Sequence, residues 1–278
     1  MPEHLFKYHG LGNDFVVLDR RRGGRDLDAE ATRRLCDRRR GIGADGVLSL
    51  LPSERAAARM VVHNADGSIA EMCGNGIRCA AKYLADQQAP PPAFIDLETG
   101  AGVLRCELGY GSSGVEEVTV SMGPARLVAP NLPSGKTGSP FVRAPLPDSP
   151  PLAGTAVSMG NPHLVIFEAD LREAGILGPR LEGCEGFPER TNVELARVVG
   201  GGLEVSVWER GAGLTQACGT GACASVAAAV VEGRLPPGRW TRVRLPGGEL
   251  QIRAEADLSN VLLRGPATYV FEATLPAL

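Results

Sequence analysis

Two segments of the chain place a cysteine directly before glycines at the predicted start of a helix. They are MCGNGIRCAA, from Met72 to Ala81, and ACGTGACASV, from Ala217 to Val226. A helix N-terminus carries roughly half a positive charge and several unpaired N–H groups. A cysteine there is shifted toward the thiolate, and the adjacent N–H groups bind an anion such as a carboxylate. The two motifs therefore predict two activated thiols, Cys73 and Cys218.

Two such helix starts on either side of a cleft predict a specific reaction. A small carboxylic acid bound between them would have one thiol on each face of the carbon next to its carboxylate. One thiolate removes a proton from that carbon, and the opposite thiol returns a proton to the other face. The stereocentre is inverted, while both helix dipoles stabilise the negative charge that spreads onto the carboxylate.

The composition of the chain limits its partners and its location. The 278 residues are 44% hydrophobic and 22% charged, and their net charge of -3 gives no reason to expect nucleic acid or an anionic membrane as a partner. The N-terminal segment MPEHLFKYHG lacks the apolar core of a signal peptide, and the longest apolar run, CASVAAAVV, is too short to cross a bilayer. We therefore expect a cytoplasmic protein with no membrane partner.

The seven cysteines do not form the pattern of a disulfide framework or of a zinc site. Their number is odd, no export signal precedes them, and no C-x-x-C pair occurs. The sequence therefore predicts free thiols and no metal. We expect Cys36, Cys106 and Cys184 to be small buried side chains without a chemical role.

Most of the chain consists of short runs that favour strands. These runs are DFVVLD, GVLSLL, RMVVHN, EEVTVSM, PHLVIF, LEVSVWE and NVLLRG. Helices are predicted after each cysteine motif and near DAEATRRLCDRR. After Cys73 a narrow apolar stripe of Ile77, Ala81 and Leu84 repeats at helical spacing, whereas the segment after Cys218 is apolar nearly all round and predicts a helix buried on every side. Residues 129–154, rich in Pro, Gly and Ser, predict a loop or linker.

The two halves of the chain repeat four landmarks in the same order. The first copies are Asn13, Asp45, Asn64 and Cys73, and the second copies are Asn161, Asn192, Glu209 and Cys218. Counted back from the cysteine, the spacings are 60, 28 and 9 positions in the first half and 57, 26 and 9 in the second. This repetition predicts two similar lobes, each presenting one Cys-Gly-x-Gly helix start.

Taken together, these motifs resemble the diaminopimelate epimerases, cofactor-independent enzymes of lysine and peptidoglycan precursor biosynthesis. The matching blocks, in order, are KYHGLGNDFVVLD, GIGADGV, HNADGS, MCGNGIRC, GNPH, ERTNVEL, WERGAGLTQACGTGACA and GPATYVFEATL. The resemblance implies an α+β fold of two pseudo-symmetric lobes, each a curved, mostly antiparallel sheet or barrel wrapped around a central helix, with the active site in the cleft between them. It implies an N-terminal lobe at residues 1–120, to which 265–278 return, a C-terminal lobe at 121–264, and a homodimer.

The same resemblance implies a role for individual residues. The implied acid/base thiols are Cys73 and Cys218, and the polar residues beside them are His163 and Glu209. The implied ligands of the reacting carboxylate are the N–H groups of Gly74, Asn75, Gly219 and Thr220. The implied contacts to the rest of the substrate are Asn13, Asn64, Asn161, Asn192 and Arg210. Because a guanidinium binds a carboxylate with two hydrogen bonds, Arg210 favours diaminopimelate, which has two carboxylates, over proline, which has one. The implied reaction converts LL- to meso-diaminopimelate without a cofactor.

Two positions depart from the family pattern. Leu214, in GLTQACG, stands where the family commonly has glutamate, so any ion pair or hydrogen bond of that glutamate is absent. Gly46, in GIGADGV, stands where some relatives have glutamine, which removes one possible substrate contact. We expect the thiol chemistry to survive both changes.

Four other functions are compatible with parts of the sequence. A proline or hydroxyproline racemase would share the paired thiols but not the set around Arg210. A pyridoxal-dependent racemase needs a Schiff-base lysine, and Lys7, Lys82 and Lys136 do not resemble such a site. A redox dithiol or a ligand-binding module without catalytic activity would not exchange the α-hydrogen of a substrate with solvent.

Overall fold

In the computed structural model, which describes residues 3–23, 26–70, 72–112, 114–133, 138–146 and 151–275, the chain divides into two units. The first comprises Met1–Val120 and Arg264–Leu278, and the second comprises Ser121–Leu263. The chain therefore leaves the first unit once and returns to it near the C-terminus.

Eighteen strands and four α-helices occur in the described ranges. The strands are β1 (Glu3–Gly10), β2 (Asn13–Asp19), β3 (Gly46–Leu51), β4 (Ala58–Asn64), β5 (Ile69–Ala70), β6 (Phe94–Thr99), β7 (Gly102–Gly111), β8 (Gly114–Ser121), β9 (Ala144–Pro145), β10 (Ala153–Ser158), β11 (Pro162–Ile166), β12 (Asn192–Val199), β13 (Gly202–Glu209), β14 (Gly213–Leu214), β15 (Thr241–Leu245), β16 (Gly248–Ala254), β17 (Val261–Pro266) and β18 (Thr268–Leu275). The helices are α1 (Ala29–Cys36), α2 (Gly74–Asp86), α3 (Ala174–Leu181) and α4 (Gly219–Val231).

The first unit is a mostly antiparallel sheet around α2. Strands β18, β1 and β2 are antiparallel neighbours, β2 and β3 are parallel, and β3 and β4 are antiparallel. Strand β4 then pairs with the short β5 and, in parallel, with β6, which continues antiparallel to β7 and β8. Helix α2 contacts strands β1, β2, β3, β4, β6, β7 and β18, so the sheet surrounds it.

The second unit repeats this topology strand for strand. Strands β10, β11, β12, β13, β14, β15 and β16 pair with the same neighbours and in the same sense as β1 to β7, and β9 adds an antiparallel edge to β10. Helix α4 contacts β10, β11, β12, β13 and β16. The predicted pseudo-symmetric α+β fold, with a central helix in each half, is confirmed.

The seven strand-favouring runs and the helix near DAEATRRLCDRR all form the elements expected of them. Helix α1 begins after Asp28, whose carboxylate accepts a hydrogen bond from the N–H of Ala31. Helix α4 is buried nearly all round, as its small apolar residues predict. The apolar stripe of Ile77, Ala81 and Leu84 on α2 is buried as expected, but the other faces of the helix are buried as well, from Gly74 to Ala85. Polar residues of this helix, including the fully buried Arg78, are accommodated by hydrogen bonds rather than by exposure.

Helix α3 is not predicted by the sequence. Its segment AGILGPRL contains two glycines and Pro179, which disfavour a helix when only local sequence is considered. The structure explains why position 178 is glycine, because a Cβ there would lie 2.3 Å from Cγ of Trp208 on β13. Tertiary packing of α3 against β13 therefore overrides the local preference.

The predicted loop at 129–154 contains little regular structure in its described part, which includes β9 and the start of β10 at Ala153. Residues 134–137 and 147–150 of this segment, including Lys136, lie outside the described residues. Across the part of the chain that the structure describes, no helix is long and apolar enough to span a membrane.

Candidate active site

Both motif cysteines occupy the N-cap of the central helix of their unit. Cys73 and Cys218 have extended backbones, and their sulfur atoms accept hydrogen bonds of 3.4 Å from the N–H groups of Gly76 and Gly221. The predicted position of each cysteine at a helix start is confirmed. At both positions a thiol therefore lies beside the backbone N–H groups of the first helical turn and the positive end of a helix dipole.

The third helical residue is glycine in both motifs because a neighbouring strand packs against it. A Cβ at Gly76 would lie 2.9 Å from the side chain of Leu48 on β3. A Cβ at Gly221 would lie 2.7 Å from Oε1 of Glu194 on β12 and 3.3 Å from Sγ of Cys218. The two helices thus approach equivalent strands at equivalent points, but they meet a leucine in one unit and a carboxylate in the other.

In the first unit, Asn13 and Asn75 belong to one hydrogen-bonded chain. The Asn13 amide donates to Asp45 over 2.9 Å, and its oxygen accepts from the Asn75 amide over 3.1 Å. The Asn75 oxygen accepts in turn from Arg78, which also donates to the carbonyl oxygen of Gly74. This chain holds both asparagine side chains in one orientation at the start of α2.

Charged residues support this arrangement from the side of β2. Asp14 is paired with Lys7 and Arg38, and Arg38 also contacts Asp45, the partner of Asn13. Although burial raises the pKa of Asp14, hydrogen bonds from Arg38 and Lys7 outweigh it and hold this pKa at about 2. Asp14 is therefore ionised throughout the physiological range.

Asn64 lies outside the network of Asn13 and Asn75. Its side-chain amide donates to Ser68 over 2.9 Å, within the turn that follows β4. Of the lysines considered for a Schiff base, Lys7 is paired with Asp14 and Lys82 with Asp86.

In the second unit, a chain of contacts connects the cysteine to a buried histidine. The Cys218 sulfur lies 3.5 Å from the Thr220 hydroxyl, which accepts from Asn161 over 3.4 Å. The Asn161 oxygen lies 3.1 Å from Nε2 of His163, and Nδ1 of His163 lies 2.7 Å from Oε1 of Glu194. Four of the predicted residues are thus brought together, with a carboxylate at the end that the sequence did not single out.

Glu209 ends β13 beside the same cysteine. Its carboxylate accepts a hydrogen bond from the Thr215 hydroxyl and interacts with the Cys218 thiol. Burial raises the pKa of Glu209 above its usual range, and the charge of Glu194 acts in the same direction. The hydrogen bonds from Thr215 and Cys218 oppose this rise without cancelling it.

The predicted shift of Cys218 toward the thiolate is wrong for this arrangement of the second unit. Burial raises the pKa of the Cys218 thiol well above its ordinary value, and the carboxylates of Glu209 and Glu194 raise it further. The Thr220 hydroxyl and the N–H of Gly221 lower it by less. Desolvation and two nearby carboxylates therefore outweigh the effect of the helix end on the pKa, which favours the thiol form of Cys218.

Asn192 and Arg210 form a second group on the same unit. The Asn192 amide donates to the carbonyl oxygen of Pro162 over 2.9 Å, and its oxygen accepts from the backbone N–H of Arg210 over 3.0 Å. The Arg210 guanidinium donates to the carbonyl oxygen of Glu189 and lies 3.8 Å from the Glu189 carboxylate. Because 31% of the Arg210 side chain is exposed, this weakly paired guanidinium can receive an anionic ligand.

The other cysteines lie away from the helix N-caps. Burial raises the pKa of Cys36 to about 11 and that of Cys79 and Cys106 to about 12. These three thiols are buried within the first unit and are unreactive at neutral pH. None of the seven cysteines forms a disulfide bond. Cys36 and Cys106 are buried as predicted, whereas the burial predicted for Cys184 is wrong, because this residue is only partly buried.

The two departures from the family pattern have local structural consequences. A Cβ at Gly46 would lie 2.6 Å from the carbonyl oxygen of His63, so a larger side chain there requires the backbone to move. Leu214 is 58% exposed and lies against α3, where a Cβ at Gly175 would be 3.2 Å from it. The following residue, Thr215, still reaches Glu209.

Comparison with known proteins identifies the family. The family model described as diaminopimelate epimerase matches residues 5–128 and 155–270. A diaminopimelate epimerase of Desulfitobacterium hafniense is 46% identical in an alignment of 278 positions, gaps included. The alignment covers 98% of this chain and 97% of that relative. The chain belongs to the diaminopimelate epimerase family. Members of this family act as isomerases on an amino acid, which agrees with the chemistry that the two cysteine motifs predict.

Solved structures of low sequence identity share the fold of this diaminopimelate epimerase family member. The structure of a predicted epimerase of Pseudomonas aeruginosa is similar to this chain, with a TM-score of 0.74 at 18% sequence identity. The superposition covers 99% of this chain and 100% of that chain. A hydroxyproline epimerase of Agrobacterium vitis, solved with trans-4-hydroxy-L-proline, is similar with a TM-score of 0.69 at 18% identity, covering 99% of this chain and 91% of that one. At these identities the likeness concerns the fold alone.

Proposed function

We propose that this protein converts LL-diaminopimelate to meso-diaminopimelate, without a cofactor, by proton transfer to and from two thiols. The observation that carries the proposal is the pair of cysteines at equivalent helix N-caps in a chain of this family. The product is a precursor of lysine and of peptidoglycan, so the reaction belongs to amino-acid biosynthesis.

The charge state of the second unit assigns an initial role to each thiol. Because burial and two carboxylates raise the pKa of Cys218, this residue begins as the proton donor. Cys73 then begins as the thiolate and removes the α-proton of the substrate, while Cys218 gives its proton to the opposite face of the same carbon. After this step Cys73 is the thiol and Cys218 the thiolate, so the protons balance and the stereocentre is inverted.

The helix ends supply the charge stabilisation that this step requires. The N–H groups of Gly74, Asn75, Gly219 and Thr220 are the proposed donors to the reacting carboxylate. The positive ends of helices α2 and α4 stabilise the negative charge that develops on the carboxylate when the α-proton leaves. His163 and Glu209 are the proposed contacts of the reacting amino group, since both lie within the hydrogen-bonded surroundings of Cys218.

The remainder of the substrate needs contacts that a proline racemase lacks. We propose that Asn13, Asn64, Asn161, Asn192 and Arg210 bind the part of diaminopimelate that does not react. Arg210 is the proposed ligand of the distal carboxylate, because its guanidinium has only a long contact with the carboxylate of Glu189.

The proposed function is tested by incubating the enzyme with LL-diaminopimelate in deuterium oxide with no added cofactor. We expect meso-diaminopimelate carrying one deuterium at the inverted carbon, measured by chiral chromatography with mass spectrometry. L-Proline and trans-4-hydroxy-L-proline, as matched substrates with one carboxylate, should exchange far more slowly. Faster exchange of either imino acid would assign the protein to the racemases instead, and no exchange with any substrate would support a redox or binding function.

We further propose that the enzyme acts in the cytoplasm and that its two epimerase lobes are residues 1–120 with 265–278, and residues 121–264. A reducing compartment fits seven cysteines that form no disulfide bond.

Membership of the diaminopimelate epimerase family supports a homodimer, and β18 offers a surface for a second copy. Tyr269, Val270 and Phe271 on this strand are 44%, 50% and 39% exposed, which is unusual for three consecutive large apolar residues.

Light scattering tests the dimer. We expect a particle of twice the 29.2 kDa chain mass, and we expect Val270→Glu to convert it to the monomer because a carboxylate cannot be buried unpaired in an apolar interface. Val128→Glu, at a 63% exposed valine of the second unit, is the matched control and should leave the mass unchanged. A wild-type particle of single-chain mass would contradict the proposal.

A further inference from the structure

Glu194 is a fully buried carboxylate in the middle of β12. Its Oε1 lies 2.7 Å from Nδ1 of His163, and both side chains are 0% exposed. Its Oε2 is buried and has no hydrogen-bond partner in the described residues. Because a buried carboxylate is strongly destabilised by desolvation, its retention in the strand points to a role other than packing.

The carboxylate lies beside the reactive end of α4. A Cβ at Gly221 would meet Oε1 of Glu194 at 2.7 Å and Sγ of Cys218 at 3.3 Å, so both atoms lie next to the same point. An ionised carboxylate that lies near a thiol disfavours the thiolate. Glu194 therefore acts on Cys218 through its charge and on His163 through a hydrogen bond.

The equivalent positions in the first unit carry no charge. His163 pairs with Asn192 in the register that joins β11 to β12, and Phe15 pairs with Gly46 in the register that joins β2 to β3. Two residues further along each partner strand lie Glu194 and Leu48, and each of them abuts the third residue of its central helix. The duplication has thus preserved the positions but has given a carboxylate and an imidazole to one unit and a leucine and a phenylalanine to the other.

We propose that Glu194 is a positioning residue that keeps Cys218 in its thiol form between turnovers and holds His163 against Asn161. The inference rests on the proposed function, because it explains how the two chemically identical thiols begin each cycle with different protonation. The uncharged Leu48 stands at the equivalent position of the first unit. The charge of Glu194 therefore favours Cys218 as the first proton donor.

In the described part of the chain, the titratable groups near Cys218 lie on three strands of the second unit. Glu209 on β13 and Glu194 on β12 are the carboxylates, His163 on β11 is the imidazole, and Thr220 lies on α4 itself. The buried polar positions of β10 are the uncharged Thr155 and Ser158, and the buried positions of β16 are apolar. Of the two carboxylates, only Glu194 is bonded to His163.

The inference is tested by the pH dependence of thiol alkylation in the full-length enzyme without substrate. Iodoacetamide reacts with the thiolate, and peptide mass spectrometry follows Cys73 and Cys218 separately in one sample. The measured quantity is the alkylation rate of each cysteine as a function of pH, whose inflection reports the pKa of that thiol. In Glu194→Gln we expect the inflection of Cys218 to move to lower pH by about one unit, so its alkylation rate at pH 8 rises about tenfold. The inflection of Cys73 should not move.

Three further variants separate charge from packing. Glu194→Leu reproduces the residue of the first unit, should fold because it replaces a buried charge with an apolar side chain, and should shift Cys218 as Glu194→Gln does. Glu194→Asp retains the charge and should keep the inflection of Cys218 near that of the wild type. Glu204→Gln removes a surface carboxylate of β13 that is paired with Arg197 and is the control for a general loss of charge.

Steady-state kinetics give the second measurement. We expect Glu194→Gln to lower kcat by about 10- to 100-fold with a smaller change in KM, because the residue acts on the proton donor and does not touch the substrate. An unchanged Cys218 inflection in folded Glu194→Gln and Glu194→Leu, or an equal shift of Cys73, would overturn the inference. Because alkylation is measured without substrate, its outcome is independent of whether diaminopimelate is the substrate.

Discussion

Replacing either Cys73 or Cys218 with alanine is expected to lower kcat for epimerisation by at least about 10³-fold. General acid or base catalysis by one group contributes about 10² to 10⁴, and in this mechanism neither proton transfer has a second route once its thiol is lost. The measurement is the rate of meso-diaminopimelate formation from the LL isomer. Loss of each cap should destabilise the protein by only about 1 kcal/mol, because the hydrogen bond that each sulfur accepts from its helix is long, 3.4 Å.

A matched control is available on α2 itself. Cys79 is fully buried six residues after Cys73, and burial raises its pKa to about 12, so it has no access to substrate or solvent. Cys79→Ala should retain activity while losing some stability from the small cavity. If Cys73→Ala or Cys218→Ala retained near-normal kcat in a folded enzyme, the two-thiol mechanism would be wrong.

Replacing Arg210 with glutamine is expected to lower kcat/KM for diaminopimelate by about two to three orders of magnitude. The distal carboxylate lies far from the carbon that loses its proton, so its contact changes little between the ground state and the transition state. The loss should therefore appear mainly as a higher KM. Removing the charged partner of a bound carboxylate commonly costs a few kcal/mol, which corresponds to this range.

Substrate analogues make the Arg210 experiment specific. We would measure kcat/KM for diaminopimelate and for an analogue that lacks the distal carboxylate, in wild type and in Arg210→Gln. The variant should discriminate less between the two compounds, whereas Arg197→Gln, which removes an exposed arginine paired with Glu204, should leave discrimination unchanged. If kcat/KM of Arg210→Gln for diaminopimelate were within about threefold of the wild-type value, the substrate assignment would be rejected. The proposed thiol chemistry would not be affected by that result.

The two thiols show how a duplicated fold can yield unequal halves. Both units present an N-cap cysteine, a glycine three residues later and a strand packed against that glycine. A symmetrical pair of thiols would have the same proton affinity, and the first proton would have no preferred donor. Glu194 and Glu209 remove this symmetry in the second unit, since each raises the pKa of Cys218.

The repeated order of strands, the two cysteine-headed helices and the family can all be predicted from the amino-acid sequence. These features are local or depend on motif order: short runs of apolar and β-branched residues define strands such as β2 and β11, and Cys-Gly-x-Gly defines the start of α2 and of α4. The same motifs named the residues that the structure then connects, from Cys218 through Thr220 and Asn161 to His163.

The charge and the supporting contacts of those residues depend instead on tertiary packing. A motif places Cys218 at a helix end, but its pKa depends on burial and on carboxylates from β12 and β13, which are 24 and nine positions away in sequence. Burial of α2 on all sides and the formation of α3 around Pro179 likewise result from contacts between distant segments. Glu194 was missed for this reason: within NVEL it resembles any strand glutamate, and only the packing of β12 against α4 brings its charge to the thiol.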